Sequence, residues 1–185
     1  MPKGIELSVH LSLKPHHHRA AYFSKQGLFR QLASFATLED RIAALPGEKA
    51  RGDAFEVFVE AYVATQPICQ AEEIWPSETA PAHVRKQLNL PARDYGTDGV
   101  FRTRNGELVA FQAKFRTGRK PLSYRELSTF FGLTELADQR VLFTNVDDIA
   151  VVAEERSLFS YVIPPGATRH VVENLKSVAG AGSGN

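Results

Sequence analysis

The stretch Asp98-Gly-Val-Phe-Arg-Thr-Arg-Asn-Gly-Glu-Leu-Val-Ala-Phe-Gln-Ala-Lys114 decides the fold. Two β-prone runs, Asp98–Thr103 and Glu107–Phe115, flank the turn signal Asn105-Gly106, so the segment reads as a hairpin. Side chains alternate across a strand. On the second arm Val109, Phe111, Ala113 and Phe115 fall on one face, all apolar, while Leu108, Ala110, Gln112 and Lys114 fall on the other. The second face starts apolar and ends in an amide and an ammonium. That pattern suits a buried strand that reaches a site at its end. It also suits a strand end lying in solvent, where charged side chains mostly reside.

Loop length decides whether Asp98 meets Gln112. A two-residue loop at Asn105-Gly106 pairs position 98 with position 113, and a three-residue loop starting at Arg104 pairs 98 with 112. Three-residue hairpins use a type I turn followed by a left-handed residue, usually glycine, in a bulge. Gly106 stands where that residue is needed. The expectation is therefore a positive φ at Gly106. A type I′ turn on Asn105-Gly106 would separate Asp98 from Gln112.

Upstream, the first 50 residues read as helical, with mixed helical spacing from Arg19 to Phe35. Thr37 is placed to cap a short helix through Leu45 that Pro46-Gly47 stops. Phe55, Phe58, Val59 and Tyr62 recur at i, i+3, i+4 and i+7, marking a helix that Asp53 caps and Gln66-Pro67 ends. A strand is expected around Glu72–Trp75 and a short helix over Ala82–Leu88. Downstream, Ser123 and Glu126 have capping-box spacing at the start of another helix. Strands follow at Arg140–Thr144 and Leu158–Ile163, with helices over Asp147–Arg156 and Thr168–Val178. The alternation predicts an α/β domain with a mixed central sheet flanked by helices.

The hairpin residues carry a resemblance. Asp98-Gly-Val followed by a strand ending Phe111-Gln-Ala-Lys114 resembles the PD-(D/E)XK, or restriction-endonuclease-like, superfamily. It looks most like the Mrr-like branch, whose last motif is often Gln-x-Lys. Tyr95-Gly-Thr-Asp98-Gly99 is similar to that branch's Gly-rich approach to its central Asp, and Gly52-Asp-Ala-Phe-Glu56 resembles its upstream helix. The resemblance spans roughly residues 50–165 and divides the chain into an N-terminal helical extension (1–49), an α/β core (50–178) and a flexible tail or linker start (179–185).

The resemblance implies a metal-dependent deoxyribonuclease. Asp98 would be the central ligand of Mg²⁺, with Mn²⁺ able to substitute. Gln112 and the backbone carbonyl of Ala113 would complete the ligand set. Lys114 would position or deprotonate water and stabilise charge. Glu56 would bind metal directly or through water, or hold Lys114; equally, it completes a capping box with Asp53. Gln112 replaces the usual acid, and a neutral amide is a weaker ligand for a hard cation. Hence an inactive DNA-binding or assembly module of the same fold stays open beside the endonuclease, as does a dimeric junction or flap nuclease. Domains of this branch often serve restriction or mobile-element systems, fused to helicases or methyltransferases.

Composition is compatible with this reading. Of 185 residues 43% are hydrophobic and 23% charged, enough apolar material for one core. The net charge of +1 means that any basic surface is local. Arg102, Arg104, Arg116, Arg119, Lys120 and Arg125 gather around the hairpin and the loop after it, as a DNA-binding patch or as a solvated loop. One cysteine, Cys69, excludes an intrachain disulfide and a Cys-rich zinc site. No apolar run approaches the roughly 20 residues of a membrane helix, and no secretory signal is evident, so a cytoplasmic protein is expected. His16-His17-His18 reads as an exposed run, and Trp75 and Phe130-Phe131 read as core.

Overall fold

The computed structural model describes residues 16–32, 34–91, 96–146 and 159–162. The helices expected over 147–156 and 168–178, the tail from 179, Tyr95, His10 and His170 lie outside the described residues.

Five strands form one sheet: β1 (Ala71–Pro76), β2 (Gly99–Thr103), β3 (Leu108–Lys114), β4 (Gln139–Thr144) and β5 (Phe159–Val162), in spatial order β1-β2-β3-β4-β5. β1 with β2 and β2 with β3 pair antiparallel; β3 with β4 and β4 with β5 pair parallel. Among the described residues five α-helices accompany them: α1 (Ala20–Lys25), α2 (Phe35–Ala43), α3 (Gly47–Thr65), α4 (Ala82–Gln87) and α5 (Tyr124–Leu133). The parallel step from β3 to β4 needs a crossover, which α5 supplies. This is the mixed α/β sheet that the sequence predicts.

Helices cover both faces. Phe55, Phe58 and Tyr62 of α3 share a cluster with Val109, Phe111, Ala113 and Phe115, the face expected to be apolar. On the other face Leu127, Phe130 and Phe131 of α5 meet Ala110 and Leu142, while Val84 of α4 and Leu88, its C-cap, meet Val100 and Leu108. β3 is therefore buried at every residue from Leu108 to Ala113, as a strand covered on both sides must be. Each fully buried Phe or Leu in these layers contributes roughly 2–3 kcal/mol. Phe23 of α1 and Leu38 and Ile42 of α2 lie in the same cluster as α3 and the sheet, so the N-terminal helices share one core with it.

The N-terminal half corrects several readings. The apolar spacing from Arg19 is not one helix: α1 ends at Lys25, and Gly27 turns the chain with φ +73°. Ser34, not Thr37, caps α2, its Oγ accepting the Thr37 N–H at 3.2 Å. Pro46-Gly47 separates α2 from α3, but it opens the second helix at once, with Pro46 as N-cap. A proline is tolerated there because helix-start N–H groups lack intrahelical partners. Asp53 consequently lies inside α3 and makes no capping box with Glu56; it meets Lys49 Nζ at 3.2 Å instead. The capping box of Ser123 and Glu126 is present, Glu126 accepting from both the Ser123 N–H and its hydroxyl.

The hairpin has the three-residue loop. Arg102 pairs with Leu108 and Gly99 with Phe111, while Thr103 exchanges hydrogen bonds with Glu107 and Gly106 around the turn. Gly106 has φ +86°, and neither Arg104 nor Asn105 has a positive φ. Gly99 admits no side chain, since a Cβ there would lie 2.4 Å from Phe111 Cζ and 2.7 Å from the Trp75 carbonyl oxygen.

Candidate functional site

Asp98 stands just before β2, between its two neighbouring strands. Its carbonyl accepts the Ser77 N–H at 3.0 Å, and its N–H donates to the Phe111 carbonyl at 3.1 Å. Ser77 also donates its hydroxyl to the Thr97 carbonyl. The Asp98 side chain turns onto β3, where Oδ2 accepts the Ala113 N–H at 2.6 Å. Asp98 thus grips the two backbone groups that flank Gln112.

Gln112 is buried. Its Nε2 donates to the Gly96 carbonyl at 2.7 Å. A carbonyl partner must face the amide nitrogen, which fixes the orientation of the group. The other end, Oε1, is buried and has no hydrogen-bond partner among the described residues. A buried acceptor left unmade carries a desolvation penalty of about 1–3 kcal/mol, the kind of cost that persists at a ligand site. Gly96 has φ +129° and lies against Thr129 of α5, so the residue that orients Gln112 depends on glycine and on the helix behind it.

Lys114 is half-buried and ends β3, opposite Thr144 of β4. Thr144 donates its hydroxyl to the Lys114 carbonyl at 2.8 Å. Beyond it, buried Asn145 holds the next turn of chain. Its Oδ1 accepts the Arg116 N–H at 2.8 Å, and its Nδ2 donates to the Arg116 carbonyl at 2.9 Å and to Glu39 Oε1 at 2.7 Å. Glu39 in turn receives Arg119 through both oxygens, at 3.0 and 2.8 Å. Burial pushes the Glu39 carboxyl up, but hydrogen bonds from Arg119 and Asn145 and the Arg119 charge outweigh it and hold the group below its ordinary range. Ser77, Glu39 and Asn145 carry no local sequence signal; each acts on a segment far away in the chain.

Glu56 lies on α3. Its Oε2 lies 3.2 Å from Nε2 of His17, which is buried, contrary to the expected exposure of the histidine run. Glu60, one turn on, accepts the His17 N–H at 3.0 Å and the His16 N–H as well. The reason is that carboxylates on the flank of α3 receive the incoming chain, so His17 is drawn in while His16 and His18 stay outside. Among the described residues no three His, Cys, Asp or Glu side chains converge. A cation at Asp98 would find there the Asp98 carboxylate, the Gln112 amide oxygen and backbone oxygens, an all-oxygen set of low charge.

The basic residues fall into two groups. Arg102 is held by Glu72 and Glu73, both at 3.2 Å, Arg116 by Glu126, and Arg119 by Glu39. Arg104, Lys120 and Arg125 are exposed, and none makes an ion pair among the described residues. Among those residues no helix is long and apolar enough to cross a membrane.

No family model matches the sequence. No curated protein matches it either. Among solved structures, the chain is similar to part of an ATP-dependent Type ISP restriction-modification enzyme, LlaBIII, bound to DNA, with 24% identity and a TM-score of 0.48. The match covers 66% of this chain and 8% of that one, so this chain corresponds to a small part of that protein's length.

Proposed function

We propose that this chain is a Mg²⁺-dependent DNA endonuclease domain of the PD-(D/E)XK type, Mrr-like branch, working within a restriction or mobile-element system. One observation carries the reading: Asp98 brackets Gln112, whose buried Oε1 has no partner among the described residues, with Lys114 two residues further along the same strand.

The donors suit a hard cation, which takes oxygen ligands. Asp98, Gln112 Oε1 and the Ala113 carbonyl would hold it. So few protein ligands leave room for the several waters that Mg²⁺ retains and for a phosphate oxygen. When bound, the ion would neutralise phosphate charge and lower the pKa of a coordinated water. Lys114 would set its ammonium against the scissile phosphate, where fixed positive charge favours the more negative transition state. The Thr144 and Asn145 contacts fix the backbone around that lysine. Arg104, Lys120 and Arg125 would neutralise phosphates along the duplex. Glu56, whose Oε2 meets His17, would bind the ion directly or through water, or hold Lys114 in place.

A second reading, a DNA-binding module without activity, is favoured by the same Gln112, because an amide replaces the second carboxylate. One assay separates them. The purified chain is incubated with supercoiled and single-stranded DNA in Mg²⁺ or Mn²⁺, beside folded Asp98→Ala and Lys114→Ala variants. Metal-dependent nicking lost in both variants is expected. Binding without cleavage by the wild type would favour the inactive module, and cleavage unchanged in the variants would overturn the site.

A further inference from the structure

At the opposite end of the hairpin from Asp98 lies a cavity of about 310 Å³. Thr103 lies five residue steps beyond Asp98, roughly 17 Å along an extended strand. Phe101, Val109, Val141 and Phe143 form an apolar floor on the face that α3 covers. Cys69, from the 3-10 turn Pro67–Cys69 that follows α3, stands in the wall. The volume is within the range of small-molecule pockets, and the polar Gln70, Thr103, Asn105, Glu107 and Gln139 share the lining with the apolar floor.

The polar groups specify the ligand. No Lys, Arg or His lines the cavity, so nothing there would attract a phosphate or carboxylate. Glu107 and Gln139 both line it, and Gln139 Nε2 donates to Glu107 Oε2 at 3.1 Å. That bond turns the amide nitrogen toward the carboxylate. It leaves Glu107 Oε1 and Gln139 Oε1 as a pair of acceptors beside an apolar floor. A flat ring that carries an amino group satisfies both features: its face lies on Phe101 and Val109, and its N–H groups meet the acceptors. Carboxylates accept from such exocyclic amines in nucleobase recognition.

We infer that this cavity binds an amino-substituted planar heterocycle of the adenine or cytosine class, at a site separate from Asp98 and Gln112. The inference does not rest on the nuclease reading, because it uses neither Asp98, Gln112 nor Lys114, and its acceptors Glu107 and Gln139 lie at the other end of the strands. The test uses the full chain. Adenosine, cytidine and uridine are titrated by NMR, reading the amides of Val109 and Val141, with calorimetry for affinity. Saturable shifts with adenosine or cytidine are expected, and uridine, which lacks the amino group, should bind about tenfold more weakly. Glu107→Gln should weaken adenosine or cytidine by about tenfold, the usual worth of a charged hydrogen bond. Cys69→Phe, which adds bulk at the wall, should abolish binding. If Glu107→Gln fails to fold, Gln139→Leu tests the same acceptor pair. No saturable shift with any nucleoside would overturn the proposal, as would uridine binding as tightly as cytidine or full affinity in the folded acceptor variant.

Discussion

The carboxylate of Asp98 accepts the Ala113 N–H at 2.6 Å, while its own N–H donates to the Phe111 carbonyl, so one residue holds both backbone neighbours of Gln112. The side chain that could bind a cation and the strand that presents the amide are thereby one rigid unit. Gly99 makes this contact possible by letting the Phe111 ring lie where a Cβ would stand.

Two glycines of the hairpin should respond differently to alanine. At Gly99 the new Cβ would meet Phe111 Cζ at 2.4 Å and the Trp75 carbonyl at 2.7 Å, an overpacking that costs about 1–3 kcal/mol or more. At Gly106 nothing lies within 4 Å, so only the φ of +86° opposes a side chain, worth about 1 kcal/mol. Urea unfolding should rank Gly99→Ala as the more damaging. The reverse order would mean that the hairpin packs in another register.

The salt dependence of DNA binding should separate the two groups of basic residues. Lys120→Ala and Arg125→Ala should each flatten the slope of log affinity against log salt by about 0.9, one phosphate contact apiece. Arg102→Ala should leave it nearly unchanged, because Glu72 and Glu73 already hold that guanidinium. Equal effects from all three would mean that DNA binding breaks the Arg102 pairs.

Docking of the chain at His17 should depend on pH. Burial pushes the His17 pKa down, but the Glu56 hydrogen bond and the charges of Glu56, Asp53 and Glu60 outweigh it and raise the group above its ordinary 6.5. A raised folded pKa gives stability that is complete below the unfolded value and is lost as pH rises through the folded value. The advantage of wild type over His17→Gln should therefore be full below 6.5 and shrink above it. Urea midpoints for the two proteins at about pH 5.5 and about pH 9 measure it. A difference that stays constant, or grows with pH, would contradict the charged pair. Glu39 has the opposite sense: its lowered pKa gives stability present above 4.5 and lost as pH falls through the folded value.

The hairpin was legible because its information is local. Strand alternation assigned the faces of β3, and Gly106 at the third loop position fixed the register. The Ser123–Glu126 box was legible for the same reason, three residues apart. Helix boundaries near the N-terminus were not, because Pro46-Gly47 serves both as the end of one helix and the start of the next. The partners of the site were hidden by distance: Glu39 reaches Arg119 and Asn145 across most of the domain, and Gly96 reaches Gln112 from a loop. The pairing of Arg102 and Arg119 was hidden in sequence because Glu39, Glu72 and Glu73 come from other elements. His17 looked exposed because nothing near it reveals that α3 offers Glu56 and Glu60 to it.

The most direct test is where a divalent cation sits. Substoichiometric Mn²⁺ is added to the chain bound to an uncleavable phosphorothioate duplex, and the backbone amide resonances are followed by NMR. Selective broadening of Asp98, Gln112 and Ala113, abolished in Asp98→Asn while that variant keeps its fold and its DNA affinity, is the expected result. Broadening confined to other residues, or unchanged by Asp98→Asn, would contradict the site.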